Sequence, residues 1–157
     1  MAKVNIGIDA KNLKAVAKLL SDVLANQHVL YIKTRNYHWN VSGPSFMELH
    51  TLFEAQYEEL ARGIDEVAER ISKLGEPVPG TMAAFIKSAS LKEDSTVPNQ
   101  LTMISNLVKD HEACIKSLRN GIDDCEEKYE DSGTADMLTG LMRKHETNAW
   151  KLRRYLK

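Results

Sequence analysis

Two cysteines, four prolines and eight glycines are all that interrupt this 157-residue chain. Cys114 and Cys125 fall on one expected helix, roughly 16 Å apart along its axis, too far for a disulfide between them. A disulfide-stapled fold is therefore excluded, and a reducing cytoplasm is the simplest compartment. The N-terminus lacks an apolar run of the signal-peptide kind, and no segment approaches membrane-spanning length, so no membrane is expected. An excess of charge of either sign is missing too, with 21 Lys and Arg against 22 Asp and Glu. A formal net charge of −1 gives no global attraction to nucleic acid.

Long periodic segments fill the rest. Hydrophobic residues make up 43% and charged residues 27% of the chain, a balance that fits one globular domain, 1–157, with 1–8 as a short tail. Asp9 suits the N-cap of a first helix reaching about His38, with Leu13, Val16, Leu20, Leu24, Val29 and Ile32 among its apolar positions. A second helix is expected from Pro44, capped by Ser42 or Gly43 and stopped at Gly75. Glu76-Pro77-Val78-Pro79-Gly80 is a break, followed by a short helix from Thr81 to about Ser88. A third long helix is expected near Pro98, capped at Thr96 or Val97 and running to about Lys128. A fourth follows from about Thr134 to Leu156. No strand alternation, internal repeat or low-complexity tract is visible. Four long helices with a long second connection describe an all-α, ferritin-like four-helix bundle with a short extra helix in the crossover between helices 2 and 3.

The second helix carries the chemistry. Leu49, Phe53, Leu60, Ile64, Val67 and Ile71 recur at helical spacing and define a buried stripe. Beside it runs a row of His50, Glu54, Glu58, Asp65 and Glu69. Glu54/Glu58 and Asp65/Glu69 are like-charge pairs at i,i+4, each costing roughly 0.2–0.5 kcal/mol. With His38 and Trp39 just upstream, the row asks for a cation. Glu54 and Asp65 nevertheless lie roughly 16 Å apart along a straight helix, so one metal centre cannot use both from one copy. An antiparallel second copy across a two-fold axis would bring Asp65 and Glu69 of one chain opposite His38, His50 and Glu54 of the other, twice over. Ala61, midway, is small enough for close approach. The intrachain alternative is a di-metal site built from Glu-x-x-His on two helices, and none of the five histidines has Glu three residues before it.

His38-Trp39-Asn40-Val41-x-Gly43, with Phe46, Leu49-His50 and Phe53, resembles the first signature of the Dps family, the mini-ferritins. Asp65-Glu66-Val67-Ala68-Glu69-Arg70 resembles the second. The resemblance extends from the first helix to His145-Glu146 and Trp150. It implies a hollow dodecamer that acts as a ferroxidase, oxidising Fe(II) between two-fold-related subunits and storing Fe(III) mineral inside. By motif position the iron ligands, and so the catalytic residues, fall on His38, His50, Asp65 and Glu69. A further acidic ligand falls on Glu54, where many members carry Asp, leaving direct and water-mediated binding both open.

Carboxylate and imidazole donors suit iron, though zinc, manganese or cobalt use the same groups. Glu58 is better read as a partner of Arg62. His28, His111 and His145 lack partners at metal-ligand spacing and read as structural; Met103 and Met137 read as core filler. Trp39 is either packing between subunits or, as the family suggests, an oxidisable neighbour of the iron. Asp123, Asp124, Glu126, Glu127, Glu130 and Asp131 put six acids in nine residues with Lys128 the only opposing charge; they are either a solvated helix end or the lining of a pore in a cage. Lys151, Arg153, Arg154 and Lys157 complement a C-terminal helix dipole. The expected activity is an iron-oxidising, iron-storing protein of the bacterial cytoplasm that prefers hydrogen peroxide to dioxygen and shields DNA and cell from oxidative damage. The alternative is a nucleoid-associated, DNA-compacting protein. Lys3 is the only basic residue ahead of the first helix, so weak or absent DNA binding is expected.

Overall fold

The computed structural model describes residues 4–156. Lys3 and Lys157 lie outside the described residues. Five helices follow in order: α1 (Ala10–Asn40), α2 (Phe46–Lys73), α3 (Met82–Ser88), α4 (Gln100–Glu127) and α5 (Ser132–Arg153), the last tightening into a 3₁₀ turn, Arg154–Leu156. No strand occurs among the described residues, and none of their helices is long and apolar enough to cross a membrane.

α1 and α2 form one antiparallel hairpin and α4 and α5 another, with α3 lying against α1 in the long crossover. The stripes meet in one hydrophobic core. Leu20, Leu24 and Leu30 of α1 pack there with Leu49, Phe53 and Ile71 of α2, Met103, Ile104 and Leu107 of α4, and Leu138 and Leu152 of α5. Ile32, an expected core position, instead lies on the outer face at 38% exposure.

Polar clamps fix how the hairpins sit. Lys33 Nζ donates to Asp110 Oδ2 at 2.6 Å, tying α1 to α4 at a nearly buried pair. The Tyr37 hydroxyl donates to Asp94 in the crossover and accepts from Asn106 Nδ2 at 3.0 Å. Arg70 at the end of α2 donates to Thr134 Oγ1 and Asp131 Oδ1 at the start of α5. The Lys33–Asp110 clamp matters most, because removing one partner of a buried ion pair strands the other charge, at about 3–5 kcal/mol.

Several helix ends differ from the expected positions. Pro44 sits in a turn, not at the first helical position; Gly43, at φ +115°, turns the chain, and α2 starts at Phe46 with Ser45 ahead of it. Asn99, whose side chain accepts from Thr102 N, caps α4 in place of Thr96 or Val97. The hydroxyl and backbone N–H of Thr96 both donate to Asp94, which makes a local turn. Asp131 accepts from Thr134 N at 2.9 Å and starts α5 two residues earlier than expected. Gly75 ends α2 as anticipated, at φ +85°, where Glu76 N reaches back to Ile71 O and Gly75 N to Ser72 O.

Asp131 also corrects the reading of the acidic run. It is 2% exposed and bonded to Arg70, so it belongs to the bundle and not to a pore lining. Lys128 is not the only opposing charge there. Asp124 pairs with Lys128, while Asp123, Glu126, Glu127 and Glu130 remain exposed.

Candidate metal centre

His38 stands in the last turns of α1 and His50 in the second turn of α2, where the hairpin brings their backbones together. Each ring reaches across to the other residue's backbone. His38 Nδ1 lies 2.8 Å from His50 O, and His50 Nδ1 lies 2.9 Å from His38 O. A carbonyl only accepts, so each Nδ1 carries a proton, and in the neutral ring Nε2 is then the nitrogen with the lone pair. The rings stack with centroids 3.8 Å apart and planes 19° from parallel. Imidazole ligands at metal sites are commonly oriented by such a bond from the other ring nitrogen to a backbone carbonyl.

Glu54 follows one turn beyond His50, exposed. Its Oε1 is 3.4 Å from the Tyr57 hydroxyl. The Tyr57 ring stands edge-on to His38 at 5.3 Å, and Phe46 flanks His50 at 5.2 Å. Arg35 lies over the rings of Trp39 and Tyr57 at 5.0 Å each and Tyr31 at 5.5 Å, while its Nη1 donates to the Tyr31 hydroxyl at 2.7 Å. Trp39 is 62% exposed, held by that cation–π contact and not by packing within the protomer.

Asp65 and Glu69 lie further along α2, both exposed; Glu69 accepts from Lys73 Nζ at 3.0 Å. The protomer thus brings His38 and His50 together with Glu54 beside them, and leaves Asp65 and Glu69 separate. Among the described residues, no three His, Cys, Asp or Glu side chains converge on one point. The expected Glu58–Arg62 ion pair is not formed; Glu58 and Arg62 are both exposed.

The remaining histidines serve packing. His28 Nδ1 bonds Leu24 O and its ring stacks on Phe85 at 3.7 Å. His111 and His145 are buried and bond each other, Nδ1 to Nδ1, at 2.8 Å. Met103 is buried and Met137 packs on the core, as expected. Sequence reading overlooked Tyr57, Arg35 and Tyr31. Their signal was positional: Tyr57 is seven residues after His50, and Arg35 and Tyr31 are three and seven before His38, all on the helix faces that carry the histidines.

A Ferritin-like domain model matches residues 17–157. A solved Dps protein of Vibrio cholerae O1, described as a member of a broad superfamily of ferritin-like diiron-carboxylate proteins, superposes with a TM-score of 0.93 at 33% identity, covering 100% of this chain and 98% of its own. A Dps protein of Bacillus brevis superposes at 0.90 with 37% identity, covering 94% and 98%. The chain belongs to the Dps family. Within that family, it is 38% identical over 141 residues to the DNA protection during starvation protein of Brevibacillus brevis, covering 90% of this chain and 94% of that one. An uncharacterized low temperature-induced protein of Nostoc is 44% identical over 157 residues, covering 99% of this chain and 88% of the relative. The helical bundle described above is thus a Dps-family, ferritin-like architecture.

Proposed function

We propose that this Dps-family chain is a single ferritin-like domain, 1–157, that assembles into a hollow dodecamer. It oxidises Fe(II) at sites shared between two-fold-related subunits and retains Fe(III) mineral inside. Family membership supports iron storage and DNA protection in general; the site, the oxidant and the assembly are our reading. The observation that carries it is the His38–His50 pair, with both Nδ1 atoms bound to carbonyls and both Nε2 atoms left to bind a metal. That pair is half a site. Asp65 and Glu69, roughly 16 Å or more along the same helix from Glu54, supply the other half only from a second copy.

Neutral imidazole and carboxylate suit iron. Two Fe(II) ions held together each give one electron to one hydrogen peroxide molecule. Its O–O bond breaks, and with two protons it leaves as two waters. Delivering both electrons at one site avoids the one-electron cleavage that releases hydroxyl radical. Dioxygen is the slower oxidant in this reading. His38, His50, Glu54, Asp65 and Glu69 hold and arrange the iron, which is substrate and cargo; the redox chemistry is the iron's own.

Complementation tests the shared site. His38→Ala and Glu69→Gln homo-oligomers should each lose rapid peroxide-dependent iron oxidation. Mixed, dissociated and reassembled, they should recover part of it, because some interfaces then contain one intact site. Verified co-assembly without recovered activity overturns the assignment.

The names of relatives favour a second reading, direct DNA protection. We assign DNA protection to iron removal instead, because a net charge of −1 offers phosphates little to bind. A retardation assay across a salt series decides it: tight binding at about 0.15 M salt establishes the nucleoid reading. Two free, buried cysteines suit a reducing bacterial cytoplasm.

A further inference from the structure

The bundle interior holds a second histidine pair, unrelated to the iron reading. His111 of α4 is 0% exposed and His145 of α5 is 3% exposed. Their Nδ1 atoms are 2.8 Å apart and their ring centroids 5.1 Å apart. One Nδ1 must donate and the other accept, so the bond requires at least one neutral imidazole, and two protonated rings cannot make it. His111 Nε2 is buried without a partner, so no protein group awaits the charge of an imidazolium there.

The surroundings are poor hosts for that charge. From α1, the neighbours lining the two small cavities beside the pair are Val23, Asn26 and Gln27, none of them titratable. Both amide atoms of Gln27 lack partners as well. From α2 comes Glu59, whose Oε2 already accepts from Asn148 Nδ2 at 2.7 Å. α4 contributes Cys114, a thiol kept neutral because burial pushes it up to about 12. Next to His111, Asp110 is committed to Lys33. α5 contributes Lys144, whose positive charge disfavours a second one on His145. Each cavity is about 10 Å³, about the space of one water.

We propose that His111 and His145 form an acid-sensitive latch between α4 and α5: the seam closes around the pair while at least one ring is neutral and opens when both become protonated. Burial pushes His145 down to about 4 and His111 well below the ordinary histidine value. The unfolded chain, with histidines near 6.5, therefore binds more protons than the folded one. The latch's contribution to stability is complete above about pH 6.5 and is lost as pH falls from there toward the folded value near 4.

Two measurements on the assembled full-length protein test this. Deuterium exchange at the imidazole C2 position, read peptide by peptide by mass spectrometry, follows each histidine's own titration. His111 and His145 should titrate well below the free value of about 6.5, and amide exchange between pH 7 and 5, corrected for intrinsic rates, should rise first in α4 and α5 around them. Ordinary titration of both rings, or opening that starts in α1 and α2, overturns the latch. His111→Gln keeps a neutral hydrogen-bonding group but cannot take up the proton, so its denaturation midpoint should depend less steeply on pH between 6.5 and 4.5 than the parent's. An equal slope overturns the proposal. Should this variant fail to assemble, the exchange measurement on the unaltered protein still decides.

Discussion

Two histidine pairs join neighbouring helices in this molecule, and they differ in whether the rings bond to backbone carbonyls or to each other. His38 and His50 bond to each other's backbone carbonyls, which uses Nδ1 and leaves Nε2 for a ligand. His111 and His145 bond ring to ring, and the nitrogen left over on His111 faces no partner inside the core. The same side chain is thus the proposed ligand in one hairpin and a fastener between helices in the other. Sequence spacing separates the two poorly, because 12 residues part the first pair and 34 the second. What decides is the group that Nδ1 meets.

The widest gap between the two regions should appear in reactivity. Cys114 and Cys125 sit in the core, 5% and 0% exposed, and burial pushes both thiols up to about 12. Against a free cysteine near 8.5, that lowers the thiolate fraction at pH 8 by about 1,000-fold or more. A disulfide reagent should label neither residue in the native oligomer and both after unfolding. Fast native labelling would mean that the core around α4 is far looser than described.

His145→Ala should destabilise by about 3 kcal/mol, through lost packing and a His111 left with no partner at either nitrogen. Iron oxidation, measured well below its melting point, should stay near the parent's rate. His38→Gln should do the reverse. It loses the oriented Nε2, and its initial rate of peroxide-dependent iron oxidation should fall by about 100-fold or more, since losing a ligand costs at least as much as disturbing a ligand's partner. Its unfolding transition should move less than that of His145→Ala. If both variants shift the same quantity, the division into ligand pair and fastener pair fails.

The fold was largely legible because apolar periodicity is repeated over long helices. Leu49, Phe53, Leu60, Val67 and Ile71 all reached the core they promised. Boundaries were less legible, since caps depend on which side chain meets an open N–H: Asn99 replaced Thr96 or Val97 through the bond from Thr102, and Asp131, bonded by Thr134, started α5 two residues early. Asp131 also shows why a run of acids misleads. Its opposing charge, Arg70, stands 61 residues away, beyond any local pattern. At the candidate metal centre, His38, His50 and Glu54 were readable from helical geometry and motif together. The Nδ1–carbonyl bonds and the aromatic grip of Arg35 were not, because they depend on how α1 docks against α2 and not on either helix alone.

Tyr57 gives the smallest and most discriminating test of the rim. Its hydroxyl lies 3.4 Å from Glu54 Oε1, a long contact at an exposed carboxylate, where water competes for the same oxygen. Tyr57→Phe removes only that oxygen. The ring still faces His38 edge-on and still receives Arg35. An exposed, lengthened hydrogen bond contributes at most about 0.5 kcal/mol, so the rate of iron oxidation should change by about twofold. Tyr57→Ala should cost more, because Arg35 loses one of its three rings and His38 loses its edge contact, which frees both side chains to turn. The ranking Ala worse than Phe, with Phe near the parent, assigns Tyr57 to holding the rim. A fall in Tyr57→Phe as deep as that of His38→Gln would place the hydroxyl among the groups that touch the iron, and the boundary between ligand and support would have to move outward to include it.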